Sequence, residues 1–157
     1  KKSELEDFSD ALSQIQTMIG MTPIESGFLA SEDLNVIKLN SEQMLTLLQL
    51  IPSGSPIEYK GITSKYGYRS HPILSRREFH KGLDMKAQMK TPVYAPADGI
   101  VEFAGRSNGF GRLVTLKHAY GFTTKYGHLH KIMVKSTNYV RKGDLIAYTG
   151  SSGRSNG

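Results

Sequence analysis

The sequence predicts a mainly β protein: an antiparallel β-sheet domain preceded by a helical, coiled-coil-like N-terminal segment. Three observations carry this. A hydrophobic heptad stripe runs near the N-terminus, short glycine-punctuated strands follow Gly61, and the charge changes sign between the two parts. At 157 residues the chain is long enough for one domain with a real core plus attached structure, and too short for two full catalytic domains. No apolar run approaches the roughly 20 residues of a membrane helix. The longest, Leu45 to Ile51, contains Thr46 and Gln49 and stops at Pro52. The absence of cysteine excludes a disulfide scaffold, a thiolate metal site and a cysteine nucleophile. Lys1 is not a start methionine, so the sequence is expected to belong to a longer chain with any targeting segment upstream.

In the first segment Leu5, Phe8, Leu12, Ile15 and Ile19 form an a/d stripe, closed by Gly20 in the usual place for a helix C-terminus. About two heptads are too short to stand alone in water. The stripe either packs on the rest of the chain or continues a longer coiled coil; the second reading is favoured because the pattern is already running at Leu5. Residues 21–30, with Pro23 and Gly27, read as irregular. A second helix is expected from about Ser41 to Ile51, where Asn40 and Gln43 have capping-box spacing. Its apolar residues Met44, Leu45, Leu47, Leu48 and Ile51 require it to bury most of its surface. The stretch Pro52-Ser53-Gly54-Ser55-Pro56 reads as a linker. The expected division is therefore a helical segment over 1–51, a linker over 52–60 and a β domain over 61–157.

Residues 1–60 carry four Lys against nine acids, a net −5, whereas residues 61–157 carry 16 Lys or Arg against five acids, a net +11. A basic second part can meet nucleic acid, anionic lipid or an acidic polymer such as bacterial cell wall, and charge alone does not choose. After Gly61, Val114, Leu116 and His118 alternate with Leu113, Thr115 and Lys117. Phe122, Thr124, Tyr126 and His128 are expected on one face of the next run, with Ala119-Tyr120-Gly121 as the turn. Val140 to Tyr148, interrupted by Lys142-Gly143-Asp144, reads as another hairpin-like pair. Gly105-Arg-Ser-Asn-Gly109 recurs as Gly153-Arg-Ser-Asn-Gly157 without matching flanks, so it is read as shared loop composition.

Five histidines lie between positions 71 and 130. His80 and Asp84 are the strongest pair, since imidazole plus carboxylate is a natural partial shell for zinc. In a straight strand their Cα atoms would stand roughly 13 Å apart. Gly82 between them permits a turn or bulge that would bring the side chains together. Spacing alone leaves two unrelated surface side chains as good a reading. His128 and His130, at i and i+2, would point the same way on a strand, which suits a metal or a proton-transfer site as well as two exposed imidazoles. His118 is expected near Phe122 and roughly 20 Å from His128. His71, before Pro72, could border a site.

Taken together, these pieces resemble the lysostaphin-like (LytM-type) zinc peptidoglycan endopeptidases. The matching segments are Ile62-Thr-Ser-Lys-Tyr-Gly-Tyr-Arg-Ser-His-Pro72, Phe79-His-Lys-Gly-Leu-Asp84 and Thr91-Pro-Val-Tyr-Ala-Pro-Ala-Asp-Gly-Ile-Val101. Tyr126-Gly127-His128-Leu129, Val140-Arg-Lys-Gly-Asp-Leu-Ile146 and Gly150-Ser-Ser-Gly-Arg-Ser155 complete them. Order and spacing agree from Ile62 to the end, which no single motif could achieve. The resemblance implies a compact antiparallel domain with a groove, zinc as cofactor, His80 and Asp84 as zinc ligands and His128 as a catalytic histidine. It also implies a His-x-His motif a few residues beyond the Gly-x-Ser-Gly-x-Ser loop, holding the third zinc ligand. The domain over 61–157 is expected to be truncated before it. His128-Leu129-His130 occupies the family's earlier Tyr-x-His-Leu position, so no zinc role passes to His130.

Two functions of different class follow from the resemblance. One is a zinc endopeptidase hydrolysing peptide cross-links of peptidoglycan; the other is a catalytically incomplete relative that binds cell wall or regulates a partner peptidase. A sugar-phosphotransfer domain shares Thr91–Val101-like and Val140–Ile146-like segments, but it has no use for a carboxylate ligand beside His80. Nucleic-acid binding ranks last, because few aromatics interleave with the basic residues. The expected setting is the periplasm or cell envelope, with room for a membrane anchor ahead of Lys1. The heptad stripe is expected to form a homodimer or a heterodimer with a related subunit, and Glu25 or Glu32 could reach a half-built zinc shell.

Overall fold

The computed structural model describes Thr17 and residues 45–70 and 77–153. The heptad stripe, the Asn40–Gln43 cap, Glu25, Glu32, His71 and the second copy of the repeat beyond Gly153 lie outside the described residues. Residues 45–50 are helical, and Ile51 N donates to Leu47 O at 2.9 Å to close the last turn. Of its described apolar residues, Leu47 is buried, while Leu45 and Leu48 are 61% and 47% exposed. Over its described residues the helix meets the β domain through Leu47 and leaves Leu45 and Leu48 open to solvent.

Among the described residues eleven strands follow: β1 (Gly61–Ser64), β2 (Gly67–Ser70), β3 (Arg77–His80), β4 (Asp84–Lys86), β5 (Pro92–Tyr94), β6 (Gly99–Ser107), β7 (Gly111–His118), β8 (Thr123–Tyr126), β9 (Leu129–Ile132), β10 (Tyr139–Val140) and β11 (Leu145–Thr149). All pairings are antiparallel. One sheet has the order β10-β6-β7-β8 and a second β5-β11-β9; β1-β4 and β2-β3 form two-stranded ribbons. The core lies between the two larger sheets, where Val93, Val101, Val114, Leu116, Leu129, Val140, Ile146 and Ala147 pack as one buried cluster. β7 is buried along most of its length, with Leu113, Val114, Thr115 and Leu116 all inaccessible.

The β7–β8 hairpin is as the alternation predicts. Tyr126 lies opposite Val114, Thr124 opposite Leu116, and Ala119–Gly121 forms a single 3-10 turn across which His118 N reaches Phe122 O at 2.8 Å. Val140 to Tyr148 is different from the expected hairpin. β10 pairs with β6 in one sheet and β11 with β5 and β9 in the other. The Arg141–Asp144 turn carries the chain between sheets: Gly143 N and Asp144 O each bond the backbone of Ala95, at 2.8 and 2.9 Å. Two consecutive strands with a tight turn diverge here because each finds a longer partner elsewhere.

Residues 52–60, expected as a linker, are stitched to the sheets. Ser53 N bonds Pro96 O at 3.3 Å, Tyr94 N bonds Pro56 O at 2.8 Å and Lys60 N bonds Lys86 O at 2.7 Å, while Ile57 packs on the core cluster. Asp98 N reaches back to Gln49 O at 2.8 Å.

Candidate metal centre

His80 closes β3 and Asp84 opens β4; the three residues between them, Lys81-Gly82-Leu83, turn the chain. Opposite this turn, Ser64 ends β1 and Gly67 begins β2, so the two ribbons bend together. Gly67 pairs with His80, and Ser64 with Asp84. Gly67 has φ 123°, a region L-residues rarely adopt, and this allows the bend directly opposite His80. The outcome is that His80 Nε2 lies 3.3 Å from Asp84 Oδ1. The bend removes the separation that a straight strand would impose.

The other ring nitrogen of His80 fixes what this contact means. Nδ1 lies 3.0 Å from the Lys65 carbonyl oxygen, which can only accept, so Nδ1 carries a proton and donates it. In the neutral ring Nε2 then presents a lone pair to a carboxylate oxygen. Two lone-pair atoms facing each other at that distance form a donor pair that one metal ion can bridge. Two ligands bound tetrahedrally at about 2.0–2.1 Å stand about 3.3–3.4 Å apart, so the donor set and its spacing fit zinc. Among the described residues no cluster of three or more His, Cys, Asp or Glu that could hold a metal is present, so the pair is a partial shell.

Asp84 has a second partner. Arg69 Nη1 lies 3.3 Å from Asp84 Oδ2 and 2.7 Å from Ser64 Oγ, and Ser64 Oγ is 3.3 Å from His80 Nδ1. Both Arg69 and Ser64 lie in the stretch from Ile62 to Pro72, where nothing in the local sequence marks either as part of a metal site. The signal that could have found them is the cross-strand register, which is invisible without the bend.

His128 is built separately. It lies between β8 and β9 with φ 56°, at the corner where the chain leaves the first sheet for the second. The reading of His128 and His130 as i, i+2 neighbours on one strand, and of His128 as continuing the Phe122–Tyr126 face, is corrected by this corner. His130 is an exposed residue of β9. A left-handed residue at a sheet switch breaks the two-residue alternation. The corner is anchored by three hydrogen bonds to two residues, Phe110 and Ser152. His128 N donates to Phe110 O at 2.7 Å, Ser152 N to His128 O at 3.3 Å, and Nδ1 to Ser152 O at 2.7 Å. Ser152 is itself held, its hydroxyl donating to Leu129 O at 2.8 Å and accepting from Arg112 N at 2.9 Å. Gly111 and Gly153 cross so closely that a Cβ on either would strike the other's backbone neighbourhood. With Nδ1 committed as donor, Nε2 is the basic nitrogen of His128.

His118 is apart from both constellations. It is buried, with Nδ1 2.8 Å from Asp98 O and Nε2 2.8 Å from Thr124 Oγ1, and Tyr126 donates to the same Thr124 oxygen at 2.9 Å. Burial pushes the Tyr126 phenol up to about 12, while the Thr124 hydroxyl pulls it down by less.

The chain is similar to several known proteins. Residues 78–157 match the profile of Peptidase family M23. The DD-carboxypeptidase/endopeptidase Mpg of Neisseria meningitidis is 45% identical over 102 residues, which is 65% of this chain and 24% of that protein. The peptidoglycan DD-endopeptidase ShyC of Vibrio cholerae is 33% identical over 104 residues, 66% of this chain and 24% of that protein. A solved zinc-containing peptidase from Vibrio cholerae superposes with a TM-score of 0.59 at 34% identity, covering 66% of this chain and 33% of that one. The chain thus spans about a quarter of the length of the curated relatives it matches. The family's cofactor is zinc. With half of its residues matched by the profile, and with the antiparallel strands that the motifs implied, this chain belongs to peptidase family M23, the LytM-type peptidases.

Proposed function

We propose that this chain contributes to a zinc endopeptidase centre that hydrolyses peptide cross-links of peptidoglycan in the bacterial cell envelope. The observation that carries it is the facing pair of His80 Nε2 and Asp84 Oδ1 at 3.3 Å, with His80 Nδ1 turned to a carbonyl. His80 and Asp84 are the residues that would hold zinc, with a third ligand supplied from outside the described residues. When bound, zinc supplies Lewis acidity at an amide carbonyl and a lowered pKa for water.

The chain's own residues do the rest. The Lys65 carbonyl keeps His80 in the tautomer that leaves Nε2 free to ligate. His128, held at Nδ1 by Ser152, presents Nε2 as a proton acceptor for an attacking water or, once protonated, as a donor to a developing oxyanion. The net +11 of residues 61–157 favours an acidic polymer over a neutral one. The peptidoglycan DD-endopeptidase activity named for ShyC agrees with this substrate class. The N-terminal heptad stripe would pair with a second copy or a related subunit, in the longer protein to which an anchor could belong.

The test uses the full-length protein on purified sacculi. Release of cross-linked muropeptides is expected, and His80→Ala should abolish it with the far-ultraviolet circular dichroism unchanged. Undiminished release by His80→Ala overturns the zinc mechanism, and tight binding to sacculi without release would favour the cell-wall-binding reading.

A further inference from the structure

We propose that Arg69 is a positioning residue that sets the geometry of the metal pair, holding Asp84 to one oxygen and, through Ser64, steadying the His80 ring. The proposal rests on the reading of His80 and Asp84 as zinc ligands. A single guanidinium nitrogen, Nη1, has two protons and two partners: Ser64 Oγ at 2.7 Å and Asp84 Oδ2 at 3.3 Å. Asp84 therefore turns Oδ2 to Arg69 and Oδ1 to His80. Ser64 Oγ lies in turn 3.3 Å from His80 Nδ1. Both faces of the pair meet at one atom of one side chain.

Stability does not account for this arrangement. The side chains of Arg69 and Asp84 are 39% and 45% exposed, and ion pairs that open to water add little to folding. The same orientation leaves Arg69 Nε buried with no hydrogen-bond partner among the described residues, which opposes it. The contact is sustained by two-point geometry, and what that geometry determines is which carboxylate oxygen remains free. With Oδ2 engaged, Asp84 is a one-oxygen ligand, as a compact four-coordinate zinc site requires. Without Arg69, the carboxylate is free to rotate and offer both oxygens.

Simple Coulomb reasoning predicts the opposite sign. A guanidinium beside a dication repels it, so removing the charge alone would tighten zinc binding. The two mechanisms are separated by measuring zinc affinity of the full-length protein by chelator competition, for wild type, Arg69→Met, Arg69→Lys and His80→Ala. The expected result is a zinc dissociation constant raised about 10- to 100-fold in Arg69→Met, the usual range for loss of an outer partner. Arg69→Lys should recover part of the loss, because an ammonium keeps the charge and can donate to both partners from one atom, but on a head less fixed in direction than the planar guanidinium. In the cobalt-loaded protein, the visible absorption of Arg69→Met should weaken as the second carboxylate oxygen enters the shell. Zinc affinity within threefold of wild type, or tighter, overturns the proposal. An unchanged cobalt spectrum also overturns it, since any affinity loss would then come from the fold. If His80→Ala binds zinc as tightly as wild type, the metal-pair reading itself has failed, independently of Arg69.

Discussion

The two sandwiching sheets and the pair of bent ribbons are held by different forces. In β6, β7 and β11 the strands are fixed by burial: Val101, Val114, Leu116, Ile146 and Ala147 are all within 1% of complete inaccessibility. In β1 to β4 and the turns that join them none of the described residues belongs to the buried hydrophobic core, while Ile62, Tyr66, Tyr68 and Leu83 are 45–72% exposed. Two-stranded ribbons of three or four residues are marginal by themselves. Their shape here comes from side-chain and backbone hydrogen bonds around Ser64, Lys65, Arg69, His80 and Asp84, and from edge-on ring contacts of Phe79 with Tyr66 and Tyr68 at 5.0 and 4.9 Å. Apolar packing tolerates no change of volume but is indifferent to direction. Polar networks aim side chains but contribute little net stability. A metal pair needs the second kind, placed against the first.

The largest expected effect tests that division directly. Leu116→Ala, at a fully buried site, should destabilise the protein by about 3 to 5 kcal/mol in urea unfolding. Ile62→Ala in β1, 45% exposed, should cost about 1 kcal/mol or less. Equal losses would mean that the ribbons share the core's cooperativity, and the contrast would collapse.

A smaller effect lies inside the first sheet. The Tyr126 phenol, raised by burial from its ordinary 10 to about 12, favours the protonated form in the folded chain. Its contribution is therefore fully present below pH 10 and is lost as pH rises through 12, a loss of about 2 to 3 kcal/mol. Tyr126→Phe should flatten the decline in unfolding free energy across that window while leaving it unchanged in shape near neutrality. An identical alkaline decline in the variant would sink the assignment. Tyr139 titrates high as well, because the Asp98 carboxylate accepts its hydroxyl at 2.9 Å, but it is exposed and adds no comparable term.

The same contrast explains what could be read from the chain. The alternation in β7 and β8 and the Ala119–Gly121 turn were legible because hairpin partners are neighbours in sequence. His80, Asp84 and His128 stood out through motif order, and Gly82 marked where the chain had to turn. Three features were not legible. Arg69 meets Asp84 across 15 residues and His128 meets Ser152 across 24, both set by pairings that no local pattern encodes. The divergence of β10 and β11 depends on each finding a separate sheet, whereas Lys142-Gly143-Asp144 by itself suggests a hairpin. The serine- and proline-rich stretch after Ile51 has linker composition, yet its backbone donors and acceptors find partners on β5 and its neighbours.

That stretch supplies the smallest and most discriminating test. Lys142 Nζ donates to Leu48 O at 2.5 Å and to Ser53 Oγ at 2.7 Å, pinning the end of the helix and the start of the strap to the Arg141–Asp144 turn. The lysine is exposed, so water competes for both bonds, and removal should cost about 1 kcal/mol. Lys142→Met keeps most of the aliphatic stem and removes the donor. Urea unfolding should register that loss, and protease cleavage near Ser53 should become faster as the strap detaches more often. No loss at all would return residues 52–60 to the status of a tether. Zinc affinity should be unaffected: the strap meets β4 at its far end, through Lys60 N to Lys86 O, and among the described residues Lys142 makes no bond to Ser64, Arg69, His80 or Asp84. If zinc affinity falls along with stability, the strap and the ribbons are coupled through the core, and the metal pair depends on packing as much as on its own hydrogen bonds.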